Sequence, residues 1–382
     1  MADLLQRLTS HVTASPKELA ITGEEELGAV PRPPSLREVA ALAGVSTSTV
    51  SNVINGRLNR MGAATRDRVR GAMEQLGYTP NQLARQLRTG QVHAVGLIVP
   101  SVANPFWGFV ARGVESAAHE RGYQVLLCNS ERDPGRESEY VETLLQSGIR
   151  GLILASSPVS LDHLIAFQSR GLKVVSLDRT SAVANPIVGS VGIDSVLAAR
   201  LAISHLTGLG HRRIAFVSGP IRTASRKQRL AGYRGALRDA GIEPDPELIW
   251  EGRSVASFGD AEGAELGRLA AHQLLSSPKR PTALFTINDM YAMGAYAGAR
   301  DLGLDIPGDV SIVGFDDIPV LAEVLTPPLT TIRQPLDQML TIATNQLISK
   351  LEGEPHNGDH HITLAPKLIV RASTAVPSHG AQ

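Results

Sequence analysis

An alternation of apolar and amphipathic segments beyond Gln91 constrains this fold more than any other feature of the sequence. Eight apolar segments predict β-strands, at 93–99, 123–128, 150–155, 172–177, 188–193, 213–218, 282–287 and 310–315. Amphipathic helical patterns lie between most of them, and such alternation predicts parallel sheets covered by helices. The near-continuous hydrophobicity of AVGLIVP, VLLCN, GLILAS and KVVSLD is typical of strands buried on both faces.

This α/β pattern extends over about 290 residues, more than one open sheet usually needs. We therefore expect two doubly wound lobes with a cleft between them. Ligands in this architecture bind in the crevice beyond the carboxyl ends of the strands. The sequence thus predicts a ligand site built from residues that follow the apolar segments.

Residues 35–79 show a different pattern, that of three short helices. Ser35 is placed to cap the first helix with Glu38 as its capping-box partner, and Gly44 ends that helix. A second helix is expected from about Thr47 to Asn55, and a third from about Thr65 to Leu76. Three short helices with a tight turn after the first predict a helix-turn-helix unit.

Charge is divided unevenly along the chain. Between Ser35 and Gly90 there are eight arginines and three acidic residues, a net charge of +5. Since the 37 basic and 37 acidic residues of the whole chain cancel, the remainder carries −5. A basic segment joined to a mildly acidic body is typical of a domain that binds a polyanion.

Composition and motifs exclude several other classes of protein. With 382 residues, 43% hydrophobic and 19% charged, the chain is expected to form two or three globular domains. No apolar run approaches the length of a membrane span, and the start of the chain lacks the pattern of a secretion signal. Cys128, the single cysteine and an expected core residue, completes neither a disulfide nor a metal site. Without a catalytic constellation or phosphate loop, we expect no enzyme, no metal and no cofactor.

Several ordered motifs together resemble the LacI (lactose repressor)/GalR family of bacterial transcription regulators. SLREVAALAGVSTSTVSNVING at 35–56 is similar to the family's helix-turn-helix, and TRDRVRGAMEQLGYTPNQLARQL at 65–87 to its third helix and hinge. VGLIVPSVANPFW at 95–107 resembles the first strand and ligand loop of its periplasmic-binding-protein-like core. PTALFTINDMYAMGAY, DVSIVGFDD and PPLTTIRQP resemble later strands of that core.

The resemblance covers roughly Ser35 to Arg371 and implies a complete domain organisation. The expected segments are a flexible extension at 1–34, the helix-turn-helix domain at 35–79, a hinge helix at 80–91, an effector-binding and dimerisation core at 92–373 and a tail at 374–382. Within the core, lobe 1 is expected at about 92–193 and 332–357, and lobe 2 at about 194–331 and 358–373.

In a helix-turn-helix the second helix lies in the major groove and presents its first turns to base edges. The resemblance and the helical wheel place Thr47, Ser48 and Asn52 there, and Asn52 can contact adenine with two hydrogen bonds. Val50, Val53 and Ile54 are expected to face inward and Ser51 outward. The full predicted set of DNA-binding residues is Ser35, Thr47, Ser48, Thr49, Asn52, Asn55, Arg57, Asn81, Ala84 and Leu87.

Candidate effector contacts lie where the predicted strands end. Phe106 and Trp107 follow the first strand and can stack on a sugar ring or pack as core residues. The other candidates match family positions that contact effector, and most are polar residues at the end of an apolar run: Ser156, Asp178, Ser225, Arg229, Asn288 and Asp316. Arg229 with Asp316 suits a neutral polyol, or forms a structural ion pair. A phosphorylated ligand is an alternative, because three basic residues lie close to Arg229 in the sequence: Arg222, Arg226 and Lys227.

The resemblance implies an allosteric regulator of transcription. We expect a cytoplasmic homodimer that binds a pseudo-palindromic operator in double-stranded DNA and takes a small effector, a sugar or sugar derivative. An inducible repressor of sugar uptake or catabolism genes is the first choice. The alternatives are a cytoplasmic solute-binding protein, and a regulator for which a phosphorylated metabolite is corepressor or activator.

Leu87 gives the first testable prediction. In the family, a leucine matching Leu87 on the hinge helix wedges into a minor-groove step, while a plain interdomain linker would bury it. An apolar wedge offsets the cost of unstacking by bending the DNA. Leu87→Ser should therefore weaken operator binding and leave effector binding unchanged, as titrations with each ligand will show. If Leu87→Ser bound the operator with the same affinity as the unaltered protein, the wedge role of Leu87 would be contradicted.

Overall fold

The computed structural model describes residues 34–54, 61–78, 92–157, 160–177, 188–252, 260–354 and 361–378. The chain divides into two compact units, and the boundary lies between Gly90 and Gln91. Each unit buries an apolar core of its own, as expected for domains that pack independently. Within the described ranges, no helix combines the length and apolar character that crossing a bilayer requires.

The N-terminal unit contains three helices: α1 (Leu36–Ala43), α2 (Thr47–Ile54) and α3 (Ala63–Leu76). The predicted capping box is present, since the Ser35 hydroxyl accepts from the Glu38 N–H and the Glu38 carboxylate accepts from the Ser35 N–H. Gly44 ends α1 with a φ of 63°, a left-handed conformation that favours glycine. The helix-turn-helix predicted from the sequence is therefore confirmed.

The three helices enclose a small core. Its fully buried members are Val39, Ala40, Ala43, Val50, Val69 and Ala72. Side chains this small let the short helices approach closely, and Leu36, Val53 and Ile54 close the edges as partly buried residues. The third helix begins at Ala63 instead of Thr65, because two alanines extend it toward Gly62.

The C-terminal unit alternates strands and helices over its described residues. The strands are β1 (Ala94–Val99), β2 (Gln124–Asn129), β3 (Gly151–Leu154), β4 (Lys173–Leu177), β5 (Val188–Ile193), β6 (Ile214–Ser218), β7 (Ile249–Glu251), β8 (Ala283–Thr286), β9 (Ser311–Asp316), β10 (Thr330–Arg333), β11 (His361–Leu364) and β12 (Lys367–Ile369). The helices are α4 (Pro105–Glu120), α5 (Pro134–Gln146), α6 (Asp162–Ile165), α7 (Ser195–Gly208), α8 (Ala224–Asp239), α9 (Gly263–Leu275), α10 (Asp289–Asp301), α11 (Pro319–Ala322) and α12 (Leu336–Glu352).

All eight strands predicted from the apolar segments are present, within one or two residues at their ends, and β10 lies in the motif PPLTTIRQP. Three further strands, β7, β11 and β12, were not predicted. They are three or four residues long, and none of their residues is fully buried. Because they lie at sheet edges, they carry no continuous apolar segment that a sequence pattern could reveal.

The strands form two six-stranded sheets, in the orders β11-β5-β4-β3-β1-β2 and β12-β10-β9-β8-β6-β7. Every pairing is parallel except that of β12 with β10. Alternate residues of β1 face opposite layers: Leu97 packs with the α4 side of the sheet and Ile98 with the α5 side. The two doubly wound lobes predicted from the sequence are confirmed.

The chain passes between the lobes three times, after β5, after β10 and after β11. The first two passages fall close to the boundaries expected at 193 and 332. The third does not: the sequence assigned 358–373 to lobe 2, but β11 pairs with β5 of lobe 1. The third passage therefore lies between Leu364 and Lys367, and the expected boundary is corrected.

The prediction that VLLCN is buried on both faces is wrong. This segment is β2, which lies at the edge of the first sheet and leaves Leu126 and Leu127 43% and 48% exposed. Cys128 is half-buried against the second apolar cluster, so it is not a fully buried core residue, and burial raises the pKa of its thiol. The apolar sequence of an edge strand does not reveal that one of its faces is open.

Helices α9 and α10 approach closely enough that glycine is required at the contact. A Cβ atom on Gly294 would lie 1.9 Å from the backbone oxygen of Ala264, and one on Gly267 would lie 2.1 Å from that of Tyr291. Real Cβ atoms do not approach backbone oxygens so closely. The two glycines therefore permit a backbone-to-backbone contact that fixes α10, the helix that follows β8.

Gly294→Ala should destabilise the core, because the added methyl group overlaps backbone that cannot move independently. We expect the free energy of unfolding to fall by at least about 1–3 kcal/mol, the usual range for overpacking. Urea unfolding followed by circular dichroism measures the change. Gly108→Ala is the matched control, since Gly108 lies inside α4 with open space around its Cα. An unchanged stability in Gly294→Ala would contradict the contact.

Candidate functional site

The DNA-reading surface predicted for α2 is open to solvent. Thr47, Ser48 and Asn52 are exposed and Thr49 is half-buried. Ser46, which the sequence reasoning did not single out, begins the helix: its hydroxyl accepts from the Thr49 N–H at 3.2 Å. The serine at this position is a favoured N-cap type, and that preference could have identified it.

The predicted exposure of one residue of α2 is wrong. Ser51 was expected outside but is only 9% exposed: with Val50 it is one of the two buried residues of the helix, so the covered side of α2 extends to it. Ser35, the predicted DNA contact before α1, is half-buried and belongs to the capping box. The remaining predicted DNA contacts lie outside the described residues: Asn55, Arg57, Asn81, Ala84 and Leu87.

An inner cavity of about 40 Å³ lies in the core, where the carboxyl ends of strands from both lobes meet. Its described lining residues are Asn104, Phe106, Trp107, Arg132, Ser225, Arg226, Arg229, Asp260, Ile287, Asn288, Asp316 and Gln334. Six of the eight predicted effector residues are brought together here. Of the other two, Asp178 lies outside the described residues, and Ser156 lies behind Arg132, whose guanidinium donates to the Ser156 carbonyl.

The aromatic wall of the inner cavity comes from the start of α4. Asn104 caps this helix by accepting from the Phe106 N–H at 3.0 Å, and Pro105 occupies its first position. Phe106 and Trp107 are 6% and 8% exposed, and their rings meet edge to face at 4.9 Å. The cap therefore fixes the direction in which both rings enter the cleft.

Arg229 forms the opposite wall from α8. Its guanidinium carbon lies 3.4 Å from the centre of the Phe315 ring, and it donates to the Ile287 carbonyl at 2.7 Å. A desolvated cation over an aromatic face is stabilised by about 2 kcal/mol. The side chain is thus held in one position beside Asn288, whose side-chain oxygen caps α10 by accepting from Tyr291.

Asp316 enters the cavity from a strained turn after β9. Asp316 and Asp317 have φ values of 109° and 54°, conformations that cost about 1–3 kcal/mol each for residues with side chains. Buried Asp289 holds this turn by accepting from the Ile318 N–H and the Thr331 hydroxyl, each at 2.7 Å. Burial raises the pKa of the Asp289 carboxyl well above its ordinary value, and the charge of Asp316 adds to the rise.

A bridge of charges connects the lobes across the cavity. Arg132, which follows β2, contacts the carboxylate of Asp260 at 2.6 Å, and Arg226 contacts the same carboxylate at 3.3 Å. The side chains of Arg132, Arg226 and Asp260 are 9%, 4% and 8% exposed, so water hardly reaches them. Burial opposes ionisation of Asp260, but the positive charges of Arg132 and Arg226 hold its pKa below the ordinary value.

A second contact between the lobes lies beside the bridge. Ser157 after β3 donates from its hydroxyl to the Ser225 hydroxyl at 3.2 Å, and its carbonyl accepts from the Ala224 N–H at 3.3 Å. Ser157 has a φ of 52°, so the residue that makes this contact has a left-handed backbone conformation. The start of α8 is therefore held against the first lobe.

A larger cavity of about 420 Å³ adjoins the inner one and shares Phe106, Asp316 and Gln334 with it. Its remaining walls are mainly the β9–α11 turn and the passage from β10 to α12. The Gln334 side chain donates to Asp316 at 2.8 Å between the two spaces. Small ligands have room beside the inner cavity, and the inner cavity itself would enlarge when the lobes separate.

Sequence reasoning missed Asn104, Arg132, Asp260 and Gln334 as cavity residues. Three of them follow β1, β2 and β10 at their carboxyl ends, so the strand-end rule could have found them. Asp260 follows no predicted strand and carries no such signal. Arg226, considered for phosphate binding, is instead engaged by Asp260, and Arg222 and Lys227 are exposed and do not line either described cavity.

This combination of a helix-turn-helix unit and a two-lobed core with a cleft defines a ligand-gated DNA-binding regulator. The family model of bacterial regulatory proteins of the lacI family matches residues 35–81, and the periplasmic binding protein-like domain matches residues 203–374. The ribose operon repressor of Escherichia coli K12 is 37% identical over 343 residues, 89% of this chain and 99% of the relative. The chain belongs to the LacI family of transcription regulators.

Solved structures agree with this assignment. A lac repressor dimer bound to operator and the anti-inducer ONPF has a TM-score of 0.77 at 30% identity, covering 90% of this chain and 100% of that one. A LacI-family regulator from Enterococcus faecium with bound ribose has a TM-score of 0.64 at 28% identity, covering 74% and 99%. The second match concerns a chain that holds a sugar.

Asp260→Asn should weaken the bridge between the lobes, because it removes the negative charge that both buried guanidinium groups contact. Removing one partner of a buried ion pair typically costs about 3–5 kcal/mol, and the retained amide oxygen places the expected loss at the low end. Urea unfolding of the ligand-free protein measures it.

Asp301→Asn is the matched control, because Asp301 pairs with Arg268 at the surface, where a pair contributes about 1 kcal/mol or less. If the two variants unfold at the same urea concentration as the unaltered protein, the bridge does not stabilise the core.

Proposed function

We propose that this chain is a sugar-responsive repressor, which leaves its operator when a sugar-type effector binds the cleft. One observation carries the proposal: the same chain presents exposed Thr47, Ser48 and Asn52 on a helix-turn-helix and buries aromatic and hydrogen-bonding side chains in a cleft. The first feature reads DNA and the second binds a polyol. Genes for sugar uptake or catabolism are the expected targets.

At DNA, α2 enters the major groove and Asn52 makes the most specific contact. Thr47 and Ser48 accept or donate, so they tolerate several bases. Arg57 contacts phosphate, which positions the domain without reading sequence. Asn81, Ala84 and Leu87 act in the minor groove through the hinge segment. None of these roles depends on the residues that line the cleft.

In the cleft, the chemistry of the lining residues favours a neutral sugar. The Asp316 carboxylate accepts hydrogen bonds from hydroxyls, the Asn288 amide accepts or donates them, and Phe106 offers an apolar face to a ring. Arg229 is held against Phe315 and adds a fixed donor. D-ribose is the first compound to test, because a similar repressor is named for the ribose operon and a similar regulator holds ribose.

Effector binding changes DNA affinity by altering the relative position of the lobes. The Arg132–Asp260 bridge and the Ser157–Ser225 contact join the lobes in this arrangement. A ligand that contacts both lobes favours one arrangement by its difference in affinity for the two. Such coupling is typically about 1–3 kcal/mol, and it is reciprocal between effector and DNA.

The working form is a homodimer, as a pseudo-palindromic operator mirrors the two-fold symmetry of its protein. The exposed Leu126 and Leu127 at the β2 edge offer an apolar surface that a second copy covers. A lac repressor of similar fold is described as a dimer on operator. We expect the protein in the bacterial cytoplasm, and on the nucleoid when operator is bound, because its proposed DNA target lies there.

We infer a role in binding and not in catalysis. The carboxylates among the described residues of the inner cavity are Asp260 and Asp316. Asp260 is engaged by two arginines, and Asp316 accepts from Gln334. Both side chains are thus committed to fixing geometry, which suits ligand orientation better than proton transfer.

The test is fluorescence anisotropy of a labelled duplex from the DNA beside the protein's own gene, at fixed salt. Salt must be constant because phosphate contacts make affinity strongly dependent on it. We expect nanomolar binding that falls tenfold or more with D-ribose or another sugar of the panel. Asn52→Ala should lose operator preference and still bind the sugar, whereas Arg229→Ala should bind operator and lose the response.

Three results would redirect the proposal. Operator affinity no higher than that for random DNA would favour the solute-binding alternative. A response to sugar phosphates alone would favour the phosphorylated-metabolite alternative. Tighter DNA binding on addition of a sugar would make that sugar a corepressor or activator ligand instead of an inducer.

A further inference from the structure

Trp107 carries a hydrogen-bond donor that nothing in the described part of the protein uses. The side chain is 8% exposed and lines the inner cavity. Its indole Nε1 is closed to solvent and has no hydrogen-bond partner among the described residues. The backbone N–H of Trp107 is satisfied by the Asn104 carbonyl at 3.0 Å, so the orphan group is the indole alone.

A buried donor without a partner destabilises a folded protein, and such groups are rare. A phenylalanine at this position would pack against Phe106 without carrying that cost. The indole ring is therefore more than an apolar wall, because the N–H adds nothing to packing. Because Trp107 lines the inner cavity, a ligand that enters as this cavity enlarges can supply the missing partner.

Trp107 belongs to the lobe 1 wall of the cavity. Arg132, the charged side chain among the described lining residues of that lobe, already has partners. Arg132 donates to Asp260 and to the Ser156 carbonyl. The Asn104 side-chain oxygen caps α4. The opposite wall, with Asn288 and Asp316, belongs to lobe 2. An acceptor on the ligand that meets Trp107 thus connects the ligand to the first lobe.

We propose that the Trp107 indole N–H donates a hydrogen bond to an oxygen of the effector and is a specificity-determining contact. The acceptor is a hydroxyl oxygen of a neutral sugar, so the inference rests on the proposed function and deepens it. Contacts from Asn288 and Asp316 hold the same molecule from lobe 2. The ligand then contacts both lobes, lobe 1 through the Trp107 donor and lobe 2 through Asn288 and Asp316.

The chain has two tryptophans, which makes the donor directly observable. Trp250 lies on β7, and its indole donates to Gln273 at 2.6 Å, away from the inner cavity. In Trp250→Phe protein labelled with ¹⁵N-tryptophan, the one remaining indole signal reports Trp107. Addition of D-ribose, or of the panel sugar that binds, should move this proton downfield. Binding without that movement would overturn the proposal.

Affinity provides a second measurement on the full chain. Trp107→Phe keeps an aromatic ring and removes the donor, so sugar affinity by calorimetry should fall about two- to tenfold, the usual effect of one neutral hydrogen bond. Trp250→Phe is the matched control and should bind with unchanged affinity. Replacing both indoles by an analogue with sulfur in place of N–H should reproduce the loss without a change of ring size.

Deoxy sugars identify the acceptor. The deoxy sugar that lacks the bonded hydroxyl should bind more weakly than its parent to the unaltered protein, and equally to Trp107→Phe, as in a double-mutant cycle. If every oxygen discriminates equally in both proteins, Trp107 only packs and the proposal is wrong. If no sugar binds either protein although both are folded, the proposed function fails and the donor has no sugar to meet.

Discussion

Parallel pairing of strands is the constraint from which the rest of this core follows. Parallel strands all end on the same side of their sheet. In the two sheets here, these carboxyl ends are directed into one cleft. The loops after β1, β2, β3, β8, β9 and β10 therefore meet, although they are far apart in the sequence. Apolar residues inside the sheets stabilise the lobes, and polar residues can collect at these ends because the strands stop there.

Collecting polar groups at one buried place creates an electrostatic problem that the site solves by pairing. Arg132, Arg226 and Asp260 are nearly inaccessible to water, and an isolated charge there would be strongly unfavourable. The single carboxylate of Asp260 pairs with both guanidinium groups, while Arg229 lies over the Phe315 ring. The contact of Arg132 with Asp260 also crosses between the lobes. One ion pair thus lowers the cost of burying charge and joins the lobes in this arrangement.

The sequence predicted the repeating architecture and much of the site, since both depend on local patterns. Trp107, Asn288 and Asp316 follow apolar segments, and a strand-end rule identifies them from neighbours a few residues away. Asp260 depends on Arg132, 128 residues earlier, so no local pattern indicates it. The open face of β2 was missed for a related reason: whether a leucine is covered depends on what lies beside the strand. Hydrophobicity alone does not carry that information.

Helix α4 links the aromatic wall of the cavity to the far side of its lobe. It begins with Phe106 and Trp107 and continues for 16 residues, about 24 Å at the rise of an α-helix. Beyond its end, Arg121 forms ion pairs with Glu352 and Glu354 at the end of α12. An α-helix is stiff along its axis, and these ion pairs hold the far end of α4 to the end of α12. A shift of α4 along its axis at the cleft would therefore also move Arg121 relative to its two glutamate partners.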